Sequence, residues 1–486
     1  MKKSYFLTVL AIFSFSVAFG QACNCEANFE WVKSTFEQND AGFKYVIDTK
    51  GRQAYQEHNQ RILAKTGTVK TLTDCTPILY EWLTFFRSGH IAIKLKAQNG
   101  VNGNTPASTV SDKVFPDWEK VNVDLDSFKT YLLAKKEIDY EGIWDSAPYQ
   151  IGIKKINGEY LGFIIQSGAP NWSRGQVKLK ITPGRDSVSS VFYSRDHSAN
   201  KSVDVVLMGK DNLRIGNFSL HRVFPELREE KEIAAYLKLL SAARPYLEEL
   251  NKTTLYLRIP SFQPGSKKDI DSIVQANKAK ILKTANLIID IRSGTGGSDA
   301  SYQSLIPLIY TGPIRTVGVE YLSTRLNNQR MLDFINKPEF GASEADKKWA
   351  KASYDKLNAR LGEFVNLDSA VVSVEKLGAV SAYPKNVGII INEGNGSTDE
   401  QFLLAAKQSR KVKLFGVTTF GVLDISNMYF VDSPCKEFEL GYSLTKSMRI
   451  PDFTIDAKGI QPDYFIDRSI PKYKWVDYVN GVLNEK

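Results

Sequence analysis

Two glycine-rich turns follow apolar runs of buried-strand type: Asp290-Ile291-Arg292-Ser293-Gly294-Thr295-Gly296-Gly297 and Asn392-Glu393-Gly394-Asn395-Gly396-Ser397-Thr398-Asp399-Glu400. Each reads as a strand-to-helix turn, where glycine lets backbone amides point at a ligand and a helix N-terminus favours negative charge. Such a turn suits a phosphate or an oxyanion. Nucleotide binding is disfavoured, because the first turn lacks the Gly-x-Gly-x-x-Gly order and neither ends in Lys-Ser/Thr. The second turn also sets a hydroxyl, that of Ser397, at the start of a helix. By itself Ser397-Thr398-Asp399-Glu400 reads as a capping box, in which Ser397 caps the helix and Glu400 reaches back. A nucleophilic Ser397 needs more: a base, a group that fixes the base, and an oxyanion hole. Its proton must pass to a group titrating near neutrality, which is the property of an imidazole. The chain has four, on His58, His90, His197 and His221.

The elements that must position these groups alternate. Residues 255–259, 287–291, 387–391 and 412–415 are apolar runs of buried-strand type, and helical stretches lie between them. That predicts α/β layering over residues 225–486, with a mostly helical, Lys- and Glu-rich insertion at 320–385. Residues 225–251 read as helical, with Ile233, Leu237, Leu240 and Ala243 on one face. Upstream, residues 26–90 read as helical, and Thr76-Pro77 is placed as N-cap and first position of one helix that stops near Gly89, ahead of a short strand at 91–95. Residues 97–117 form a linker rich in Asn, Gly, Ser and Thr. Residues 118–224 change to short alternating runs separated by turns, a β-rich domain. The fold class is multidomain α+β: a helical N-terminal domain at 21–96, the β-rich middle domain, and an α/β core.

A length of 486 residues predicts about two to four domains. Hydrophobic content of 43% with 24% charged residues excludes disordered, fibrous and multi-span membrane classes. Residues 1–20 read as a secretory signal peptide: Met1-Lys2-Lys3, an apolar run, then Ala18 and Gly20 before the cut. The apolar run falls short of the ~18 residues a membrane span needs, and a lipid anchor on Cys23 would follow a poor lipobox. An exported chain with Cys23, Cys25, Cys75 and Cys435 can form two disulfides, in any of three pairings. The spacing of Cys23 and Cys25 does not suit zinc, no two histidines stand at i, i+4, and no metal or cofactor is expected. A formal charge of +9 without a basic run describes a solvated surface, so nucleic acid is not an expected partner, while association with an acidic cell envelope is compatible.

Four segments in order carry a family resemblance: Asp290-x-Arg292-x-x-x-Gly296-Gly297; Ser397-x-x-Glu400; Phe415-Gly416-Val417-Thr418-Thr419-Phe420-Gly421; and Gly459-Ile460-Gln461-Pro462-Asp463. Together, over about residues 253–468, they resemble the tail-specific or C-terminal processing serine peptidases, whose core is similar to the ClpP/crotonase fold. The best-known branch uses a Ser-Lys dyad, but Val422 occupies the lysine position here. A second branch, similar to the tricorn protease core, uses a histidine from the N-terminal part, and His90 sits where that branch carries it.

The leader implies export to the periplasm or the medium, and the resemblance implies a serine-type peptidase acting on peptides or proteins, with Ser397 as nucleophile and His90 as base. It implies Asp456 as third member, in the place of a family glutamate, with Asp424, Asp432 and Glu437 as alternatives. The amide of Thr398 and one from Gly296 or Gly297 are implied as the oxyanion hole. No carboxylate-binding loop of a PDZ module is evident, and residues 118–224 stand in its place. Two other readings compete: a non-catalytic relative binding peptides or apolar ligands in the same cleft, and an envelope esterase or amidase. Oligomeric state is left open.

Overall fold

Four apolar strands lie side by side at the centre of the chain's larger unit, and they are parallel because each returns through a crossover. The computed structural model describes residues 23–96 and 115–485, apart from residues 186, 217, 229 and 369. The expected leader at 1–20 and most of the expected linker at 97–117 lie outside the described residues. The described residues divide into two compact units, one of residues 23–96, 244–467 and 479–485, the other of residues 115–243 and 468–478.

The larger unit begins with helices α1 (Cys25–Asn39), α2 (Phe43–Lys50), α3 (Arg52–Thr66) and α4 (Leu72–Thr84), then strand β1 (Ala92–Leu95). Their buried faces, including Phe29, Phe36, Trp82 and Phe86, form one apolar cluster with Phe438, Leu440, Tyr442 and Leu444. The edge-on contacts of Phe29 and Phe36 with Trp82 supply the shape fit. The disulfide Cys25–Cys75 ties α1 to α4. Helix α4 starts earlier than the sequence predicts: Thr71 is its N-cap, accepting from the Asp74 amide, and Pro77 lies inside the helix.

The smaller unit holds α5 (Leu125–Ala134) and nine antiparallel strands: β2 (Gly142–Ser146), β3 (Tyr149–Ile156), β4 (Glu159–Ser167), β5 (Val177–Pro183), β6 (Val188–Tyr193), β7 (Ala199–Ser202), β8 (Val205–Met208), β9 (Asn212–Ile215) and β10 (Phe218–Phe224). They form one sheet in the order β7-β6-β5-β4-β3-β2-β10-β9-β8. Helix α6 (Lys231–Ser241) follows; residues 225–243 with this helix, and residues 468–478, expected in the core, belong to this unit instead.

The larger unit then resumes with β11 (Tyr246–Asn251), β12 (Thr254–Arg258), α7 (Lys267–Ile281), β13 (Asn286–Asp290) and the one-turn α8 (Ile306–Ile309). Residues 246–251, expected to be helical, pair instead with β12 as an antiparallel edge. Next come β14 (Ile314–Val317) and β15 (Val319–Leu322), and the insertion expected at 320–385 holds the end of β15 with α9 (Arg325–Asn336), α10 (Glu344–Asn358), β16 (Phe364–Val365) and β17 (Val372–Glu375). It is anchored rather than free, since β15 pairs with the long strand described next. The chain closes with β18 (Asn386–Ile391), α11 (Thr398–Ala406), β19 (Val412–Gly416), β20 (Ile425–Asp432), β21 (Phe438–Ser447), β22 (Tyr464–Phe465) and α12 (Trp475–Asn484).

The central sheet runs β11-β12-β13-β18-β19-β22, parallel throughout except for the β11 edge. Both faces are covered, and this is why its strands read as predominantly apolar runs. A second sheet runs β1-β21-β15-β16, with β20 also on β21. The pairing of β1 with β21 places the segment after α4 beside the central sheet's turns.

Candidate active site

The strand β18 ends in a turn that its own asparagines shape. Asn395 Oδ1 accepts from the Asn392 amide at 2.8 Å, and Asn395 Nδ2 donates to the Ile291 carbonyl at 2.6 Å, tying this turn to the one after β13. Asn392 Oδ1 accepts from the Ser293 amide at 2.8 Å from the other side. The turn after β13 is braced in turn by Asp290, whose buried carboxylate takes the Arg292 guanidinium at 2.7 Å and the Tyr256 hydroxyl at 3.0 Å. Burial would raise the Asp290 pKa, but Arg292 beside it holds it below the usual carboxylate range.

Ser397 stands at the head of α11 with φ 58° and ψ −120°, and its side chain makes no cap hydrogen bond. The expected capping box is therefore absent. Glu400 is drawn elsewhere: it accepts from the Thr419 hydroxyl and from the amides of Gly421 and Val422. The Ser397 amide donates to the Val422 carbonyl at 3.0 Å, so Glu400 and Val422 jointly clamp the strained turn. A side chain on Gly89 or Gly396 would run into Val422, which fills the space between the two.

With its hydroxyl free of capping, Ser397 Oγ meets His90 Nε2 at 3.1 Å. The other ring nitrogen, Nδ1, lies 2.7 Å from the Ile425 carbonyl. A carbonyl only accepts, so Nδ1 carries the proton and the lone pair of a neutral imidazole is on Nε2, toward the serine. His90 has φ 52°, and its carbonyl is held by Arg87 Nη2 at 3.0 Å and by the Ser443 hydroxyl at 3.2 Å. Arg87 is paired in turn with the fully buried Asp40. Burial pushes the imidazole pKa below 6.5, the Ile425 carbonyl opposes this, and Arg87 adds to it.

Asp456 does not touch the ring. It accepts from the amides of Leu423, Asp424 and Ile425 at 2.6, 2.7 and 3.2 Å, so it reaches His90 only through the Ile425 peptide. The alternatives are engaged elsewhere: Asp424 with Arg449, Asp432 with Lys96, and Glu437 with Asn28. The remaining histidines serve other places: His58 lies between Arg61 and the Trp82 carbonyl, His197 stacks on Trp172, and His221 lies on β10.

Thr398 is buried, and its amide has no acceptor among the described residues. Gly296, at φ 77°, passes so close that a Cβ there would lie 2.8 Å from the Ser397 Cβ and 3.2 Å from the Thr398 nitrogen. Gly297 lies against the Phe262 backbone. One residue of this turn to which the sequence assigns no role is Asp399. Its side chain accepts from Asn395 Nδ2 at 2.9 Å; burial raises its pKa to about 7, against the pull of Asn395 and of the Gly296 and Gly396 amides.

Residues 253–466 match the model of Peptidase family S41. Over 153 residues the chain is 29% identical to a "Probable CtpA-like serine protease" of Staphylococcus epidermidis, a stretch covering 31% of this chain and 29% of that protein. A protein of the same description from Staphylococcus aureus is 28% identical over the same shares. The match thus spans under a third of the length of these curated relatives. Among solved structures, mature CPAF superposes with a TM-score of 0.51 at 12% identity, covering 95% of this chain and 96% of that one. Mature CPAF complexed with lactacystin gives 0.52 at 12% identity, over 95% and 97%. At such identity the likeness is one of fold.

Proposed function

We propose that this chain, whose residues 253–466 belong to Peptidase family S41, is an exported serine peptidase that hydrolyses peptide bonds through an acyl-enzyme on Ser397, with His90 as general base. The observation that carries this reading is the 3.1 Å contact between His90 Nε2 and Ser397 Oγ. In this mechanism Oγ attacks the scissile carbonyl carbon as its proton passes to Nε2. The imidazolium so formed keeps its Nδ1–H on the Ile425 carbonyl, and the proton then goes to the leaving amine. Water, activated by the same imidazole, attacks the ester and releases the acid. The amide of Thr398, with one of Gly296 or Gly297, receives the oxyanion, each such donor contributing about 3 kcal/mol to the transition state. Asp456 acts as a positioning residue: by holding three successive amides it orients the Ile425 carbonyl.

Export is supported by the two disulfides, Cys23–Cys435 and Cys25–Cys75, which persist in oxidising compartments. No helix among the described residues is long and apolar enough to cross a membrane. The testing experiment is labelling of the folded chain with a fluorophosphonate, followed by a peptide library. Wild type should label, Ser397→Ala should not, and His90→Ala should label far more slowly. Wild-type labelling no faster than that of Ser397→Ala would overturn the assignment.

A further inference from the structure

Ser397 follows the C-terminal end of β18, and a second chemically distinct place lies at the opposite ends of the same strands. Between β19 and the last residues of α12 there is a pocket of about 320 Å³. Lys385, Arg410, Lys411 and Lys413 line it, against a single carboxylate, that of Glu485. None of the four cations is in an ion pair among the described residues. Arg410 makes only a long contact, 3.4 Å, to the Thr311 carbonyl, and Lys385 lies over the Tyr383 ring.

Lys411 is the informative member. Its Nζ has neither contact with water nor a hydrogen-bond acceptor. Buried donors are almost always satisfied, and an ammonium held out of water beside three other cations opposes folding unless an anion joins it. Three ammonium groups are point charges that suit a tetrahedral, multiply charged oxyanion better than a planar carboxylate. The stacked rings of Phe415 and Tyr464, 4.6 Å apart, offer an apolar wall beside these charges for the organic part of such a ligand.

We propose that this pocket binds a phosphate group, held by Lys411 with Lys385, Arg410 and Lys413, at the end of the sheet remote from Ser397. The group is carried either by free phosphate or by a phospholipid head. Binding frees Lys411 from its unpartnered state, so the site stabilises the fold when filled.

The test is calorimetric titration of the full chain with inorganic phosphate against chloride at matched ionic strength, with thermal melts in parallel. Saturable binding and a raised melting temperature are expected. Lys411→Met should weaken binding at least tenfold while leaving the unliganded protein as stable or more so. The exposed Lys413→Ala, which puts no folding at risk, should also weaken it severalfold. Vesicles with and without phosphatidylglycerol identify the source: Lys411-dependent capture by the anionic vesicles assigns a lipid head, and phosphate binding without capture assigns the free ion. Absence of saturable phosphate binding to wild type, or affinity unchanged in both variants, would overturn the proposal.

Discussion

His90 and Ser397, 307 residues apart in the chain, face each other at 3.1 Å, and both have a left-handed backbone, with φ of 52° and 58°. Neither is glycine, so each conformation carries a local cost that its surroundings must offset. For His90 those surroundings are Arg87 and Ser443 on its carbonyl; for Ser397 they are the Val422 carbonyl and the Glu400 clamp. The two halves of the site are thus held by separate frameworks, and perturbing either should separate base from nucleophile without unfolding the chain.

The pH profile follows from the imidazole. Catalysis needs neutral His90, and burial lowers its pKa below 6.5. Activity should therefore rise with pH through a midpoint under 6.5 and level off above it. Measuring kcat/KM from pH 4.5 to 8 checks this, and an acid limb centred above 7 would contradict the neutral-base assignment.

Asp456 should behave as a positioning group. Asp456→Ala leaves three amides without their acceptor and loosens the Ile425 carbonyl, so the fluorophosphonate labelling rate should fall by about 10- to 100-fold, short of the loss in Ser397→Ala. The effect should lie in kcat, with KM little changed. An Asp456→Ala enzyme as inert as Ser397→Ala would instead assign the carboxylate a direct role.

The disulfide Cys23–Cys435 joins the start of α1 to the turn between β20 and β21. It therefore fastens the helices that deliver His90 to the sheet that carries the Ile425 carbonyl. Cys435→Ser should lower stability by about 2–4 kcal/mol in a denaturant melt and slow labelling as well. A melt and a labelling rate identical to wild type would deny the bridge this role.

The parts of the site that were legible in the sequence are those with a mark in residue type. Strands β12 and β13 are buried throughout, and β18 and β19 are buried apart from Asn386 and Lys413, so their apolar residues stand out in the sequence. Ser397 and the two glycine turns lie at their ends. The partner of His90 Nδ1 could not be read, because a backbone carbonyl is the same at every position and only folding selects that of Ile425. The capping box failed for a related reason: Thr419, Gly421 and Val422 lie far along the chain and compete for Glu400 more effectively than its own helix end does. Likewise Tyr246-Leu247-Glu248-Glu249 has helix-forming composition, yet the open edge of β12 recruits it as a strand, tertiary pairing overriding propensity.

Asp399 makes stability depend on pH in a direction opposite to that of an ordinary paired carboxylate. Its folded pKa is raised to about 7 from 3.8, chiefly by burial. Between those values the folded state holds a proton that the unfolded state has lost, so this contribution to stability falls as pH rises and the cost is complete above 7. Burial also raises the pKa of neighbouring Glu400, Asp456 and Asp299, so the whole cluster works in the same sense. Asp399→Asn removes one such term while keeping an acceptor for Asn395. Its stability relative to wild type should therefore improve from pH 5 to pH 8, read from urea melts at the two values, and a difference that does not change with pH would mean that the carboxyl is ionised throughout.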